Sequence, residues 1–259
     1  MEILDKKRLI FSFYLTNKWW EHSINMFHMK MLSMYLPRFD ESLFCLIVDD
    51  DIEQDSINLF QKTIISHSCG NISFKLYKNT NYRESYVLYN ELATKLSKLD
   101  GLTFFGHNKG ISDSFGEDNV KTWVAALYFF SFEVDLPNNG LNGPTFYGPL
   151  KSVGCNYKYT HAVQNTYNWT YCGTFFWIKA QQVDSCMKLN GVEVPKLTSR
   201  WYSEMFPGNV VSNDEAWSYF NIILNEEDIN GSEIRSIIEK MYEGHYILDC
   251  FKNYCNEVF

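Results

Sequence analysis

The sequence predicts an α/β fold in which helices flank a mainly parallel central sheet. Over the first 110 residues, short apolar segments that favour strands alternate with longer segments whose apolar residues recur at helical spacing. Alternating strands and helices are typical of a parallel sheet that is covered on both faces. Of the 259 residues, 46% are hydrophobic, which is enough for one large core.

Four strands and three helices are predicted in this first part of the chain. The first strand, RLIFSFYL, is rich in aromatic and aliphatic residues, and the helix that follows it ends at Pro37. The third helix ends at a glycine, Gly101. In order, the predicted elements are a strand at 8–15, a helix at 19–36, a strand at 42–51, a helix at 56–68, a strand at 71–79, a helix at 82–101 and a strand at 102–110.

The alternation weakens after residue 110. The segment EDNVKTWVAALYFFSFEVD predicts a helix with an acidic first turn, which suits the helix dipole. Turn formers surround a short strand in 137–154, and 169–189 predicts a strand that continues into a helix. We expect a turn at 199–208 and a helix at 213–224. Because no low-complexity or linker-like stretch is present, the chain is expected to form one continuous domain.

Composition and charge exclude several classes of protein. The formal charge is -8 and no basic block is present, so nucleic acid is not an expected partner. No segment reaches the roughly 18 consecutive apolar residues of a membrane span. The N-terminal segment lacks a signal-peptide cleavage site and fits a first strand better. Seven widely spaced cysteines without a CxxC pair indicate free thiols, so we expect a cytoplasmic protein that is at most peripheral to a membrane.

Polar side chains follow the ends of the predicted strands, where parallel sheets bind their ligands. Thr16 follows the first strand, and the run Asp49 to Asp51 follows the second. Asp49 and Asp51 are spaced as two ligands of Mg²⁺ or Mn²⁺, the only metal site that the sequence offers. Acceptors for ribose hydroxyls, or a solvated turn, fit the same spacing equally well.

The fourth strand ends in the segment LTFFGHNKG. A histidine, an amide and a cation stand there between two glycines, at His107, Asn108 and Lys109. His107 and Lys109 can stabilise charge on a departing diphosphate, which is the task of a metal in other enzymes. Gly106 and Gly110 permit close approach of the backbone to phosphates. We therefore expect transfer chemistry that depends weakly or not at all on a metal.

Four segments between residues 84 and 208 occur in an order that resembles a known family. They are ESYVLYNEL, FFGHNKG followed by a helix that contains Trp123, YCGTFFWIKA and RWYSEMFPG. The set resembles the GT-A-type glycosyltransferases and, more narrowly, the bacterial and large-virus polysaccharide glycosyltransferases that contain an HxKG element. The chain departs from that group at Thr174 and Phe175, where an Asn–Phe pair is expected, and at Ile178, where a second tryptophan can stand.

The resemblance implies a GT-A-like, Rossmann-like domain with two functional halves. Residues 1–110 would form the nucleotide-sugar-binding half, and residues 111–259 the acceptor-binding half with C-terminal helices. A nucleotide-sugar donor and a saccharide or glycolipid acceptor are the implied partners. The donor-binding candidates are Thr16, Asp49, Asp51, Arg83, Glu84, Asn90 and Asn108.

The acceptor site and the catalytic base are expected in the second half. Gly173, Thr174 and Trp177 are the acceptor-binding candidates, because an aromatic ring binds the apolar face of a sugar well. Inverting transfer requires a carboxylate that takes the proton of the acceptor hydroxyl. Glu204 is the first candidate and Asp214 the second, although Asp214 also suits a helix cap.

These expectations combine into one predicted function and two alternatives. The predicted function is inverting transfer of a hexosyl unit from a UDP-hexose to a saccharide acceptor during assembly of a surface glycan. One alternative is a metal-dependent phosphotransferase that uses Asp49 and Asp51. The other is a carbohydrate-binding protein without catalytic activity. Walker, GxSxG and GxGxxG motifs do not occur, which disfavours P-loop ATPases, serine hydrolases and dinucleotide oxidoreductases.

Overall fold

The computed structural model describes residues 6–108, 117–133, 145–153, 166–167, 169–171, 173–223 and 246–259. Eight strands and seven helices lie in this part of the chain. The strands are β1 (Lys7–Leu15), β2 (Glu41–Val48), β3 (Asn71–Lys78), β4 (Leu102–His107), β5 (Phe146–Val153), β6 (Trp169–Tyr171), β7 (Phe176–Ile178) and β8 (Ala216–Ile223). The helices are α1 (Ser23–Tyr35), α2 (Gln54–Ser66), α3 (Glu84–Glu91), α4 (Glu117–Phe132), α5 (Ala180–Leu189), α6 (Tyr202–Val210) and α7 (Tyr246–Val258).

All eight strands belong to one mixed sheet, as the α/β prediction requires. The strand order is β3-β2-β1-β4-β7-β5-β6, and β8 pairs with β5. Strands β1 to β4 are mutually parallel, whereas β7 is antiparallel to both β4 and β5. Strand β8 runs parallel to β5. Strands from both sides of residue 110 therefore share the same sheet, and the architecture is compatible with a Rossmann-like fold.

Helices cover the sheet on both faces and form two separate apolar cores. On one face, α1, α2, α4 and α7 pack on side chains such as Phe11, Phe44 and Phe104. On the other face, α3, α5 and α6 pack on side chains such as Ile10 and Phe105. Neighbouring residues of β1 and β4 thus face opposite cores, because successive side chains of a strand alternate. Burial on both faces explains why these strands are nearly continuous apolar runs.

Two segments of the second half differ from their predicted structure. The segment 213–224, predicted as a helix, is a short 3₁₀ turn followed by strand β8. Its aromatic and β-branched residues fit a strand, and seven of its residues pair with β5. The predicted turn at 199–208 lies mostly in helix α6, which contains Pro207. Burial of Tyr202, Phe206 and Val210 against the sheet outweighs the hydrogen bond that proline cannot donate.

The predicted helix at 82–101 is confirmed only in its first part, since α3 ends at Glu91 and a 3₁₀ segment follows. The carboxylate of Glu91, only 5% exposed, joins this helix to edge strand β3. It accepts hydrogen bonds from Lys75 Nζ at 2.8 Å, from Lys95 Nζ at 2.7 Å and from the Tyr77 hydroxyl. Burial alone raises the pKa of Glu91, but the three hydrogen bonds together outweigh it, and the pKa lies below its ordinary value.

We predict that Glu91→Gln lowers the free energy of unfolding by about 1–3 kcal/mol at neutral pH, because charge-assisted hydrogen bonds weaken. Since the folded pKa lies below the unfolded one, the contribution of Glu91 is complete above the unfolded pKa. It is lost as the pH falls through the folded pKa. Urea titrations should therefore show a difference in unfolding free energy between the wild type and Glu91→Gln that is smaller at acidic pH than at neutral pH. The exposed Glu257→Gln is the control, and an equal loss in that variant would contradict the prediction.

Candidate functional site

The carboxyl ends of β1 and β4 define the candidate site. From β1 the chain proceeds outward through β2 to β3, then returns to place β4 on the other side of β1. The strand order therefore reverses between β1 and β4, and open α/β sheets bind ligands at such a reversal. Thr16 follows β1, and His107 and Asn108 stand at the end of β4. Three residues that the sequence predicted as site residues therefore lie at the ends of these two strands.

Asn108 fixes the crevice between these two strands. Its Oδ1 accepts a hydrogen bond from the Tyr14 backbone N–H at 2.8 Å, and its Nδ2 donates to the Tyr14 carbonyl at 3.0 Å. The same Nδ2 also donates to Oδ1 of Asn25, in the first turn of α1, at 3.2 Å. Because both N–H groups of the amide are used, the structure gives Asn108 a positioning role in place of the predicted direct contact with a donor.

An anchored carboxylate lies at the end of β2. Asp49 Oδ1 accepts a hydrogen bond from Asn79 Nδ2 at 2.8 Å, and Oδ2 accepts one from the Tyr14 hydroxyl. The hydrogen bond from Tyr14 is the main cause that lowers the pKa of Asp49, and Asn79 adds to it. The same bond with Asp49, followed by burial, raises the pKa of Tyr14 to about 12. Three strand ends therefore hold one ionised carboxylate in a fixed position.

The neighbouring acids differ from Asp49 in their environment. Asp50 is exposed and pairs with Lys78 at 2.9 Å. Asp51 is also exposed, and its carbonyl accepts a hydrogen bond from Asn17 Nδ2 at 3.0 Å. Asn17 Oδ1 in turn accepts from the backbone N–H of Glu53 at 2.7 Å. The loop after β1 is thereby tied to the loop after β2, with half-buried Thr16 beside it.

Backbone strain is concentrated at this edge of the sheet. In the described part of the chain, three residues other than glycine have positive φ: Lys18 at 52°, Arg83 at 47° and Thr174 at 55°. They lie after β1, after β3 and before β7, which starts where β4 ends because the two strands are antiparallel. A positive φ is a strong outlier for a β-branched residue such as Thr174. Such strain is frequent at functional sites, where the surroundings hold it in place.

Arg83 and Glu84 stand at the start of α3, which follows β3. Arg83 is exposed, and its charge acts on the Tyr14 hydroxyl by lowering its pKa in opposition to Asp49. Glu84 is half-buried in the first turn of the helix. The guanidinium and the anchored carboxylate therefore offer donors and acceptors to the same ligand.

A chain of buried hydroxyl groups links α3 to the second half. Ser85 Oγ donates to the Arg200 carbonyl at 2.5 Å and accepts from the Ser203 N–H at 3.0 Å. Ser203 Oγ lies 3.4 Å from the Thr174 hydroxyl. Gly173, which precedes Thr174, has a φ of 87°, and a Cβ at this position would lie 3.2 Å from the Leu127 side chain. The Gly173–Thr174 turn is thus fixed beside the end of β4, where the rings of His107 and Phe175 are 6.3 Å apart.

Glu204 follows Ser203 in the first turn of α6. Its side chain is 9% exposed, and its carbonyl accepts a hydrogen bond from the Thr170 hydroxyl in β6. Ser203 contacts the first turn of α3, which begins beyond the carboxyl end of β3. Glu204 therefore lies near the edge of the sheet at which strands β1 to β4 end. The structure therefore brings one acid of the second half towards the site.

Three other predicted residues lie elsewhere. Trp177 is 4% exposed, stacks on Phe39 and donates Nε1 to the Ser131 carbonyl at 3.0 Å, so it is a core residue and not an acceptor platform. Asp214 precedes β8 at the opposite edge of the sheet, because Ala216 aligns through Phe146 and Ile178 with the start of β4. It therefore does not join His107.

Asn90 occupies the last turn of α3, and its amide donates to the Tyr86 carbonyl at 2.7 Å, so this amide is engaged within its own helix. Lys109 lies outside the described residues. Tyr14 and Asn25 were missed by the sequence analysis, because a tyrosine in a strand and an asparagine in a helix carry no motif. Only the register of parallel strands brings them to Asp49 and Asn108.

The described ranges contain neither a metal-binding cluster nor a helix that could span a membrane. No group of three or more His, Cys, Asp or Glu side chains is arranged to hold a metal ion there. Asp49, which the sequence offers as a ligand, has both carboxylate oxygens engaged by protein donors. No helix in these ranges combines the length and apolarity needed to cross a bilayer.

We predict that Asp49→Asn lowers the pKa of Tyr14 from about 12 towards its ordinary value, because the charged acceptor is lost. At about pH 11, the variant should then carry more tyrosinate than the wild type. Near-ultraviolet absorbance titration measures the difference. Asp50→Asn, which alters the adjacent exposed acid, should leave the titration unchanged. Identical curves for Asp49→Asn and the wild type would contradict the contact.

No protein-family model matches the chain, and no curated protein matches its sequence significantly. Function is therefore inferred from the geometry of the site. Its principal features are the strand reversal beside Asn108, the carboxylate of Asp49 held by three strand ends, and the strained turns that surround both.

Proposed function

We propose that the protein is a GT-A-like glycosyltransferase that moves a hexosyl unit from a nucleotide sugar, a UDP-hexose, to a saccharide or glycolipid acceptor with inversion. The single observation that carries the proposal is the position of the site. Asp49, Arg83 and His107 gather at the carboxyl ends of parallel strands, next to the point where the strand order reverses. That is where open α/β sheets bind nucleotides.

The nucleoside would bind at the ends of β1 to β3. An ionised carboxylate accepts hydrogen bonds from ribose hydroxyls, and Asp49 is held ionised by Tyr14 and Asn79. Arg83, whose charge reaches the Tyr14 hydroxyl, can donate a pair of hydrogen bonds to a uracil carbonyl or to a phosphate. Thr16 and Asp51 border the same cleft.

The departing diphosphate would lie at the end of β4. The acceptor hydroxyl oxygen forms a bond to the anomeric carbon, and the bond from that carbon to the phosphate oxygen breaks. The electron pair leaves with the nucleoside diphosphate, whose charge His107 and Lys109 stabilise. Glu204 takes the proton of the acceptor hydroxyl. The acceptor would approach along the Gly173–Thr174 turn, which adjoins both His107 and the start of α6.

The geometry supports a reaction that does not require a divalent cation. Both oxygens of Asp49 already accept hydrogen bonds from Tyr14 and Asn79, so chelation with Asp51 would have to use the lone pairs that these bonds leave. This also disfavours the metal-dependent phosphotransferase. Five cysteines, Cys45, Cys69, Cys186, Cys250 and Cys255, are free thiols, which supports a reducing, cytoplasmic location.

A nucleotide panel tests the proposal first. UDP is expected to raise the melting temperature more than GDP or CMP, because a ligand that binds only the folded state stabilises it. Addition of Mn²⁺ is expected to change this effect little. Asp49→Asn should reduce the stabilisation by UDP, whereas Asp50→Asn should not. Absence of stabilisation by every nucleotide would favour a carbohydrate-binding protein without catalytic activity, and a strict need for Mn²⁺ would contradict metal-independent binding.

Two acids on opposite edges of the sheet provide a matched test of catalysis. Glu204→Gln should lower turnover by about 10²–10⁴-fold, the usual contribution of a general base, while UDP binding is retained. Asp214→Asn should leave turnover unchanged, because Asp214 lies at the far edge. Release of UDP from a UDP-hexose in the presence of an acceptor measures both. Full turnover in Glu204→Gln would remove Glu204 from the mechanism.

A further inference from the structure

Asn25 carries a buried donor that no residue in the described part of the chain satisfies. The residue is 0% exposed, and its Oδ1 accepts a hydrogen bond from Asn108. Its Nδ2 has no hydrogen-bond partner among the described residues. An unmet buried N–H is unfavourable by about 1–3 kcal/mol, so such groups are normally satisfied by a bound water, ion or ligand.

The position of this donor indicates the charge of its partner. Asn25 is the third residue of α1, and helical side chains lean towards the N-terminus of their helix. The first turn of this 13-residue helix contains no acidic residue, and the side chain of its N-cap residue, His22, makes no capping hydrogen bond. The first backbone N–H groups of a helix have no partner within the helix and attract anions, phosphate above all. Asn25 belongs to this first turn, and its partner Asn108 follows β4.

The carboxylate of Glu117 already interacts with the N-terminus of α1. Glu117, the first residue of α4, interacts with Ser23 and His22 at the start of α1, and also pairs with Lys121 at 2.5 Å. The hydrogen bond from Lys121, then that from Ser23, lowers the pKa of Glu117. Because the Glu117 side chain is 54% exposed, an incoming anion can displace it into solvent.

We propose that the N-terminus of α1 and the Asn25 amide together bind a diphosphate group. The inference deepens the proposed function and rests on it, since the diphosphate would be that of the nucleotide sugar. Asp49 would hold the nucleoside on one side of β1, and α1 would hold the phosphates on the side of β4. Asn108 would then act as a positioning residue, because it fixes Asn25 relative to both strands.

Calorimetric titration of uridine, UDP and inorganic pyrophosphate separates the two parts of the site. Asn25→Asp keeps an oxygen that can accept from Asn108, but replaces the free donor with a negative charge. We expect the affinity for UDP and pyrophosphate to fall by about tenfold or more, the loss typical of a hydrogen bond to a charged group, and uridine affinity to stay unchanged. Asp49→Asn should lower the affinity for uridine and UDP but not the affinity for pyrophosphate.

Two further variants keep the test decisive if Asn25→Asp does not fold. Ser23→Pro removes one backbone N–H at the first helical position, where proline is well tolerated, and the extended conformation of His22 suits a following proline. It should weaken UDP binding several-fold. Glu117→Gln removes the competing carboxylate and should strengthen UDP and pyrophosphate binding.

Each outcome bears on one of the two proposals. If wild-type protein binds UDP and a folded Asn25→Asp or Ser23→Pro binds it equally well, a buried water alone satisfies Asn25, and the diphosphate site is wrong while the proposed function stands. If pyrophosphate binds and is weakened by these variants but no nucleotide binds, the anion site stands and the nucleotide-sugar function fails. If neither pyrophosphate nor UDP binds the wild type, the anion site is wrong.

Discussion

The parallel pairing of β1 with β4 is the constraint on which the rest of the structure depends. It aligns Ser12 with His107 and brings Asn108 alongside Tyr14, where one side-chain amide extends the strand pairing by two hydrogen bonds. With β2 and β3 on its other side, β1 is central and buried on both faces. The polar groups that follow these four strands therefore converge at one edge, as the sequence pattern predicted, and the register of the strands decides which of them touch.

The second half of the chain reaches this edge by reversing direction. Strand β7 runs antiparallel to β4, so the turn before it stands at the end of β4. Gly173 and Thr174 adopt positive φ in that turn, and the buried Thr174 hydroxyl meets Ser203 of α6, which in turn meets Ser85 of α3. These hydrogen bonds fix the positions of the Gly173–Thr174 turn, α6 and α3 relative to one another, because each buried hydroxyl must keep its partner.

The sequence predicted well those features that depend on local pattern. Strands β1, β2 and β4 are apolar runs bounded by polar residues, and edge strand β3 alternates polar and apolar residues. Helices α1, α2 and α4 have helical periodicity, so the order of these elements and the α/β class could be predicted. Helix α6 could not, because non-local burial outweighs the local preference of Pro207. Strand β8 could not either, because its pairing with the distant strand β5 decides between a strand and a helix. Likewise Asp214 and Trp177 carry suitable chemistry, but only the register of β5, β7 and β8 shows that one lies at the far edge and the other in the core.

The distribution of charge around the site explains why a histidine and an amide end β4. Under the proposed function, the negative carboxylate of Asp49 lies beside the hydroxyl donors of a nucleoside, whereas the partial positive charge of the α1 terminus lies beside its phosphates. An acid at the end of β4 would repel those phosphates unless a cation neutralised it. A side-chain amide avoids the repulsion and frees Asn108 to hold β1 and Asn25 in register. The helix terminus, together with His107, would then supply locally the positive potential that a metal ion supplies elsewhere.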